Sequence, residues 1–362
     1  MNPKRILIFN FKFMGDLLIA TALFRSLRRT YPKAFIAVVV RKEYEEVLAG
    51  NPDISELIVF DRTRIRTLRG LAKLRLEWDF LKRLRQGRFD ACFSMHPGDR
   101  TCLWGWASGA NWRIGTSIQP MAFLLNRTMP VKEPHLDGRD YLEYYYALAE
   151  PLNLKERGRK TTYVLSEDAR REAQRAYPVL FQEQNGILVG LHPGASAPAR
   201  QWPQERFACL ADELMTLESA RIIIFAGPGE EGLAQNVFET IRGENKFFIT
   251  PSTLGLFAAC LERCDLFIGN DTGPRHLTVA LGVPTITLMG QKDSRVWGIY
   301  PEEQKHWIVQ KKVPCQPCEK AVCEDNICMT EIPVGKVTVL AGKVLKETSR
   351  SKGRQHAATR AQ

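Results

Sequence analysis

Residues 5–32, "RILIFNFKFMGDLLIATALFRSLRRTYP", place an apolar, β-rich run before a glycine-containing turn and a segment with helical periodicity. The helical pattern stops before Pro32. Strands that alternate with helices in this way are typical of parallel sheets, in which crossover helices join neighbouring strands. The stretch therefore predicts an α/β fold that begins with a buried strand.

The same alternation runs through the first half of the chain and restarts in the second. Further strands are predicted in the first half at "AFIAVVV", "ISELIVF", "RFDACFSM" and "WRIGTS". The second series is predicted at "GILVGLHPG", "RIIIFAGPGEEG", "KFFIT" and "DLFIGN". We therefore predict two Rossmann-like, doubly wound domains at residues 1–155 and 186–345, joined by a passage at 156–185. No close sequence repeat links the halves, so their similarity is expected to be architectural.

Length and composition agree with two soluble domains. The chain has 362 residues, of which 44% are hydrophobic and 25% charged, and two cores of roughly 150 residues each would suit it. No run of about 18 apolar residues could span a bilayer, and the N-terminus enters a strand without a signal-peptide cleavage site. We expect a cytoplasmic protein with mostly reduced cysteines, and a disordered basic tail at residues 346–362.

A formal net charge of +11 indicates an anionic partner. The stretch from residue 62 to residue 88 is dense in arginine and lysine, and its apolar residues recur near helical spacing, which predicts a basic amphipathic helix or a helix pair. Its charges could simply be solvated around a core-facing stripe, or they could bind an anionic lipid or glycolipid. We expect no nucleic-acid partner, because few aromatic residues are interleaved with the basic ones. The candidate docking residues are Arg62, Arg64, Arg66, Arg69 and Lys73.

Three turns of the second half follow predicted strands, and ligands of doubly wound sheets bind at the carboxyl ends of the strands. These turns are "HPGASAPAR" (192–200), "GPGEE" (227–231) and "NDTGPRH" (270–276). In the last of them, Gly273 permits close backbone approach, while Thr272 and the first helical amides could donate to a phosphate. The turn therefore suits a phosphate or diphosphate, although the same sequence also occurs as a purely structural helix cap.

Other polar residues of these turns have alternative roles. Asp271 would repel a phosphate, so it is expected to cap the helix or to hold sugar hydroxyls. Arg200 could grip a diphosphate or be an ordinary surface arginine. Glu231, or Glu230 beside it, could hold ribose hydroxyls or favour the helix dipole. His276 alone would most simply be a helix residue with a satisfied ring.

Taken together, these motifs resemble the ADP-heptose:lipopolysaccharide heptosyltransferases, glycosyltransferase family 9. The resemblance extends from Arg5 to about Leu345 and rests on the combination of motifs rather than on any one of them. It implies a GT-B fold, with two Rossmann-like domains facing a central cleft and the nucleotide sugar held mainly by the C-terminal domain.

The resemblance also implies roles for single residues. Asp16 matches the family's catalytic base, which would take a proton from the attacking sugar hydroxyl; without the resemblance it would be read as a cap of a helix starting at Leu17. Arg200 falls where a lysine is more usual in the family. The arginine keeps a positive charge at this position, which would neutralise the leaving diphosphate. Ser196 takes the place of a hydroxyl residue in the same loop. The residues that match the nucleotide-sugar motif are Asp271, Thr272, Gly273 and His276.

The expected reaction is an inverting, metal-independent transfer of heptose from ADP-heptose to the inner core of lipopolysaccharide, at the inner face of the inner membrane. The chain contains no Asp-x-Asp pair to bridge a metal to the diphosphate, so no cofactor is expected to be required. The alternatives are a GT-B transferase or epimerase that uses another nucleotide sugar, and a non-catalytic protein that binds nucleotides or anionic glycans.

A cysteine cluster near the C-terminus stands apart from these motifs. Its C-x2-C-x4-C-x4-C spacing could ligate zinc or an iron-sulfur cluster, or the thiols could be reduced or disulfide-linked structural cysteines. The four residues are Cys315, Cys318, Cys323 and Cys328.

Overall fold

The computed structural model describes residues 2–134, 138–182, 186–300, 303, 305–318 and 320–360, with side chains through residue 348. The chain forms two compact units, residues 1–164 and 165–362. The boundary after Val164 falls inside the predicted passage at 156–185.

The first unit is built on a six-stranded parallel sheet. Its strands are β1 (Arg5–Phe9), β2 (Phe35–Arg41), β3 (Glu56–Phe60), β4 (Ala91–Ser94), β5 (Trp112–Thr116) and β6 (Arg127–Met129). Its α-helices are α1 (Met14–Thr30), α2 (Glu45–Leu48), α3 (Arg62–Thr67), α4 (Gly70–Gln86), α5 (Asp99–Ala107) and α6 (Tyr141–Leu148). Short 3-10 helices occupy Lys42–Tyr44, Pro120–Leu124 and Glu150–Leu152.

The second unit contains another six-stranded parallel sheet. Its strands are β7 (Leu188–His192), β8 (Arg221–Phe225), β9 (Lys246–Ile249), β10 (Leu266–Asn270), β11 (Thr285–Met289) and β12 (His306–Gln310). Its α-helices are α7 (Glu167–Ala176), α8 (Gln204–Glu218), α9 (Glu231–Thr240), α10 (Leu254–Glu262), α11 (Gly273–Ala280), α12 (Ser294–Trp297), α13 (Ile327–Thr330) and α14 (Val334–Arg360). Short 3-10 helices occupy Pro178–Leu180 and Pro198–Arg200.

Both sheets have the same strand order. The first runs β3-β2-β1-β4-β5-β6, and the second, taken from its other edge, runs β9-β8-β7-β10-β11-β12. In each sheet the order reverses between the first and fourth strands, β1 and β4 or β7 and β10. Loops diverge at such a point and leave a crevice at the carboxyl ends of the strands, which is where doubly wound folds bind ligands. The predicted architectural similarity of the two halves is therefore present in the topology.

Central strands are covered on both faces, as continuous apolar runs require. Ile6, Leu7 and Ile8 of β1 are fully buried, and so are Ile222, Ile223 and Ile224 of β8. The sheet also buries most of α1, including Leu17, Leu18 and Ile19. This packing fixes the start of α1, and with it the loop that follows β1.

Three features of the structure refine the sequence-based expectations or differ from them. The basic segment forms the helix pair α3 and α4 rather than one helix. The strands β6, β11 and β12 were not identified from sequence. Helix α14 extends through Arg360, past the expected domain end at residue 345, and Val337, Ala341 and Val344 bury one face of it, while the disorder expected for residues 346–362 stays a prediction. No described helix carries a stretch apolar and long enough to cross a membrane.

Candidate functional site

Asp16 lies in the first turn of α1, directly after the loop that leaves β1. Helix α1 begins at Met14, three residues before Leu17, where the alternative interpretation of Asp16 as a cap placed its start. The Oδ2 atom of Asp16 accepts a hydrogen bond from the backbone N–H of Phe13 at 3.3 Å. Asp16 therefore does contribute to the helix terminus, and this contact fixes the direction of its carboxylate.

The environment of Asp16 changes its acidity. Its side chain is buried, and this desolvation raises the pKa of Asp16 to about 6, against the lowering effect of nearby Lys12 and the backbone hydrogen bond from Phe13. A carboxylate with a pKa near the working pH is both largely ionised and basic enough to accept a proton. These properties suit a general base.

A cavity of about 650 Å³ lies at the carboxyl ends of the strands in the first unit. Lys12, the residue that lowers the pKa of Asp16, also lines this cavity, so the cavity and the carboxylate share a neighbour. The cationic residues that line it are Lys12, Arg41, Arg62, Arg66, Lys73 and Arg100, and no acid is among the described lining residues. The cavity therefore suits an anionic ligand.

Aromatic side chains form much of the rest of the cavity wall. Phe11, Phe60 and Trp104 pack edge-on against one another with ring centroids 4.7 to 5.8 Å apart. The guanidinium of Arg100 lies 5.5 Å from the ring centroid of Trp104. Aromatic faces bind the apolar faces of sugar rings while the cations bind acidic substituents. The combination fits a charged glycan.

Only some of the predicted docking residues reach this cavity. Arg62, Arg66 and Lys73 line it, whereas Arg64 and Arg69 are exposed and do not. The other cations come from separate elements: Lys12 follows β1, Arg41 ends β2 and Arg100 lies on α5. Sequence reasoning missed these three because nothing in the local pattern links them.

A buried polar network borders the cavity. The Nε2 atom of His96 lies 3.1 Å from Oδ1 of Asn10 and 3.3 Å from the hydroxyl of Tyr145. Burial, together with the charge of Lys12, holds the pKa of His96 well below its usual range. His96 is therefore a neutral imidazole that also lines the cavity. It was not singled out from the sequence.

In the second unit, Asn270 connects two of the predicted ligand-binding turns. Its Nδ2 donates to the carbonyl oxygens of Pro193 at 2.8 Å and Gly194 at 3.2 Å, and its Oδ1 accepts from the N–H of Trp202 at 3.1 Å. Asn270 is fully buried at the end of β10. The loop at 192–200 is thus held against the turn that begins with Asp271.

Arg275 neutralises Asp271. Its Nη1 lies 2.5 Å from Oδ1 of Asp271, and its Nη2 donates to the carbonyl oxygen of Trp297 at 3.1 Å. Both side chains are buried. Sequence reasoning assigned Asp271 to a cap or to sugar hydroxyls and gave Arg275 no role. Thr272 is the N-cap residue of α11, but its side chain makes no capping bond and donates weakly to the carbonyl of Asn270 at 3.4 Å.

His276 is held by Tyr300. The Nδ1 atom of His276 lies 2.8 Å from the hydroxyl of Tyr300, which leaves Nε2 as the nitrogen available to a ligand. Burial, reinforced by the charge of Arg275, lowers the pKa of His276 to about 3. The ring is therefore neutral at physiological pH, and it lies one turn beyond Gly273, where the first amides of α11 lack intrahelical acceptors.

Arg200 ends the 3-10 helix at Pro198–Arg200, which closes the 192–200 loop, and its side chain is half-buried. Its Nε is buried without a hydrogen-bond partner among the described residues. Buried donors are rarely left unpaired in proteins, so this atom is available to donate to a bound water or ligand, including an anion. Ser196 lies in the same loop and is exposed.

Of the two neighbouring acids, it is Glu230 that points inward. Its Oε2 lies 3.1 Å from Nε2 of His192 and accepts from the N–H of Gly227 at 3.3 Å. Burial would raise the pKa of Glu230, but the bonds from His192 and Gly227 outweigh it and lower that pKa. A Cβ on Gly194 would lie 2.2 Å from this carboxylate, so glycine is required there. Glu231 is exposed in the first turn of α9.

The structure describes all four residues of the cysteine cluster that the sequence offered as a possible metal site. Among the described residues, no three His, Cys, Asp or Glu side chains are grouped so that they could hold a metal ion. Cys328 is buried in the core of the second unit, Cys315 is exposed, and Cys318 and Cys323 are half-buried. All four thiols are free, and burial together with the nearby thiols of the other three cysteines raises the pKa of Cys328.

A sequence model described as Glycosyltransferase family 9 (heptosyltransferase) matches residues 77–327. The chain belongs to this family. The family 9 chain is 22% identical over 348 residues to lipopolysaccharide heptosyltransferase 3 of Escherichia coli K12, with 95% of this chain and 98% of that protein covered. It spans only about half the length, 54%, of a lipooligosaccharide heptosyltransferase 2 of Campylobacter jejuni to which it is 30% identical.

Solved structures show the same fold as this family 9 chain. A glycosyltransferase family 9 protein from Veillonella parvula matches with a TM-score of 0.82 and 25% identity, covering 95% of this chain and 98% of that one. The heptosyltransferase WaaC of E. coli, in complex with ADP-2-deoxy-2-fluoro heptose, matches with a TM-score of 0.69 and 18% identity, covering 94% and 99%. These likenesses confirm the predicted GT-B fold.

Proposed function

We propose that this family 9 chain transfers heptose from ADP-heptose to the inner core of lipopolysaccharide. The observation that carries the proposal is the buried carboxylate of Asp16, whose pKa is about 6. Lys12 lies near this carboxylate and also lines the basic cavity with its aromatic walls. Family membership supports the reaction class, and the relatives named as heptosyltransferases support the sugar.

The donor is assigned to the second unit. Arg200, with its unpartnered Nε, and the first amides of α11 at Gly273 would bind the diphosphate. The structure of WaaC with an ADP-heptose analogue supports ADP as the nucleotide. We assign the ribose hydroxyls to Glu230 rather than to Glu231, because its carboxylate is the one directed toward the 192–200 loop. The remaining donor-binding assignments are Ser196, Asp271, Thr272 and His276.

The acceptor is assigned to the cavity of the first unit. Inner-core glycans carry phosphates and acidic sugars, for which Arg62, Arg66 and Lys73 supply charge and Trp104 supplies a stacking face. Arg64 and Arg69 remain candidates only for the surrounding surface. Because the acceptor is lipid-anchored, we place the enzyme at the inner face of the inner membrane.

The chemistry is a single displacement. The carboxylate of Asp16 takes the proton of the acceptor hydroxyl as that oxygen forms a bond to the anomeric carbon. The bond from that carbon to the diphosphate oxygen breaks, and ADP leaves with its electron pair. Arg200 and the helix amides neutralise the departing charge. Attack opposite the leaving group inverts the anomeric centre, and the absence of an Asp-x-Asp pair from the sequence supports a metal-independent step.

The test is to incubate the protein with ADP-heptose and lipopolysaccharides truncated to graded lengths, and to record product masses. We expect one truncation to gain a single heptose, in the presence and absence of EDTA. Thermal protection by ADP, but not by UDP or GDP, would support the donor base, since ligands stabilise the folds they bind. If no truncation is extended although ADP binds, the chain is a nucleotide-binding protein and the proposal is wrong.

A further inference from the structure

We propose that the outer face of α4, formed by Leu71, Leu74 and Trp78, docks on the surface of an anionic phospholipid bilayer. The inference rests on the proposed function, which places the acceptor lipid in a membrane. It goes further in naming the surface that brings the enzyme to that lipid.

The three side chains form one exposed apolar stripe. Leu71 is 84% exposed, Leu74 62% and Trp78 68%. They are spaced three and four residues apart on a 17-residue helix, so they project from the same side of it. A single exposed leucine is ordinary, but a contiguous stripe that includes a tryptophan marks an interaction surface.

Helix α4 does not need this stripe for folding. Its opposite side already packs against the core of the first unit through Leu76, Phe80 and Leu84. The helix is therefore apolar on two sides, of which only one faces the protein. A surface helix that only covers a core would have a polar outer side.

The positive charge of α3 and α4 indicates which partner the apolar stripe contacts. From Arg62 to Gln86, α3 and α4 with their connection carry many cations and only the acids Glu77 and Asp79. The cations are Arg62, Arg64, Arg66, Arg69, Lys73, Arg75, Lys82, Arg83 and Arg85. Leucine and tryptophan beside lysine and arginine are the composition of helices that lie in the interface of anionic membranes. A second copy of the same basic helix would be repelled.

The position of α4 also fits a lipid-linked acceptor. Lys73 of α4, together with Ile65 and Arg66 of α3, lines the cavity assigned to the acceptor. The helix that would contact the bilayer through its outer face therefore borders the cavity as well. A glycan anchored in that bilayer would reach the cavity without leaving the membrane surface.

Flotation with vesicles tests the docking surface. Wild-type protein is expected to float with phosphatidylethanolamine/phosphatidylglycerol vesicles and much less with pure phosphatidylcholine. The triple variant Leu71→Ser/Leu74→Ser/Trp78→Ser should lose roughly tenfold or more of its partition coefficient, because the apolar contact is removed. The matched control is Leu217→Ser, which changes a 66% exposed leucine of the second unit and should bind like wild type. Unchanged urea unfolding would show that the triple variant is folded.

A second variant separates charge from apolar insertion. Arg75→Glu/Lys82→Glu alters two exposed cations that do not line the cavity, and it should weaken binding at low salt more than at high salt. Binding to anionic vesicles by the triple variant as tight as that of wild type would overturn the proposal, as would wild-type protein that does not float. A wild-type dimer that the triple variant abolishes would assign the stripe to a second copy instead.

Activity distinguishes this inference from the proposed function. On a delipidated core oligosaccharide, the triple variant should transfer heptose as fast as wild type, whereas on acceptor embedded in vesicles it should be slower by roughly the loss in partition. Equal losses on both acceptors would contradict membrane docking. If wild-type protein extends neither acceptor, the proposed function fails while the vesicle result still decides the docking surface.

Discussion

The guanidinium of Arg275 lies 2.5 Å from the carboxylate of Asp271, four residues earlier in the chain, and both groups are buried at the start of α11. The pair turns an acid that would repel a diphosphate into part of a neutral unit. No unpaired carboxylate therefore opposes the diphosphate that we propose to bind at the amides of α11 and Arg200.

Breaking this pair should destabilise the second unit strongly. Arg275→Met leaves Asp271 as a buried unpaired charge, and we expect a loss of about 3–5 kcal/mol in the free energy of unfolding, measured in urea. Arg242→Met is the control, because Arg242 pairs with Asp212 on the surface and should lose less than about 1 kcal/mol. The double variant Arg275→Met/Asp271→Asn should recover much of the loss. Similar effects for Arg275 and Arg242 would contradict the buried pair.

The pH dependence of transfer should follow Asp16. Its ionised form is the proposed base, so kcat/KM is expected to fall roughly tenfold per pH unit below a pKa of about 6. Asp16→Asn should reduce transfer by roughly 10²–10⁴-fold and remove that acid limb, while ADP binding measured by calorimetry stays unchanged. An acid limb that persists in Asp16→Asn would assign the base to another residue.

The same carboxyl should limit stability at high pH. The pKa of Asp16 is raised from 3.8 to about 6 on folding, so its favourable effect on stability is complete below pH 4 and is lost as the pH rises through 6. Asp16→Asn removes the charge, and we expect it to be more stable than wild type by up to about 3 kcal/mol at pH 8 and equal at pH 4. Urea unfolding at both pH values measures this, and a variant less stable at pH 8 would refute it.

Adjacent acids provide a matched pair for donor binding. Glu230→Gln should weaken ADP binding about tenfold or more, because hydrogen bonds to a charged acceptor are lost. Glu231→Gln changes an exposed neighbour and should leave the Kd within about twofold. Calorimetric titration with ADP measures both. The reverse pattern would return the ribose contact to Glu231.

Two arginines of α3 form a matched pair that tests whether the cavity binds the acceptor. Arg66 lines the cavity and Arg64 does not. Arg66→Ala should raise the KM for the acceptor several-fold with little change in kcat. The reason is that Arg66 is expected to bind the acceptor equally in the ground state and in the transition state. Arg64→Ala should leave KM unchanged. Steady-state kinetics with the delipidated acceptor keeps membrane effects out of the comparison.

The alternation of strands and helices was readable from the sequence because it rests on local periodicity and on glycine and proline positions. The run at Arg5–Phe9 forms β1, and the turn after Asn270 joins β10 to α11, as the sequence predicted. The strand β6 at Arg127–Met129 was not predicted, because it is three residues long and has no alternation of apolar and polar residues.

Sequence alone thus determined the α/β class, the two units and the turns that follow the central strands. Only the tertiary structure decided that Glu230 and not Glu231 faces the loop, that Arg275 pairs with Asp271, and which cations meet at one cavity. The reason is physical: strand and helix formation depend on neighbours along the chain, whereas the direction, burial and pKa of a side chain depend on residues that folding brings from distant positions.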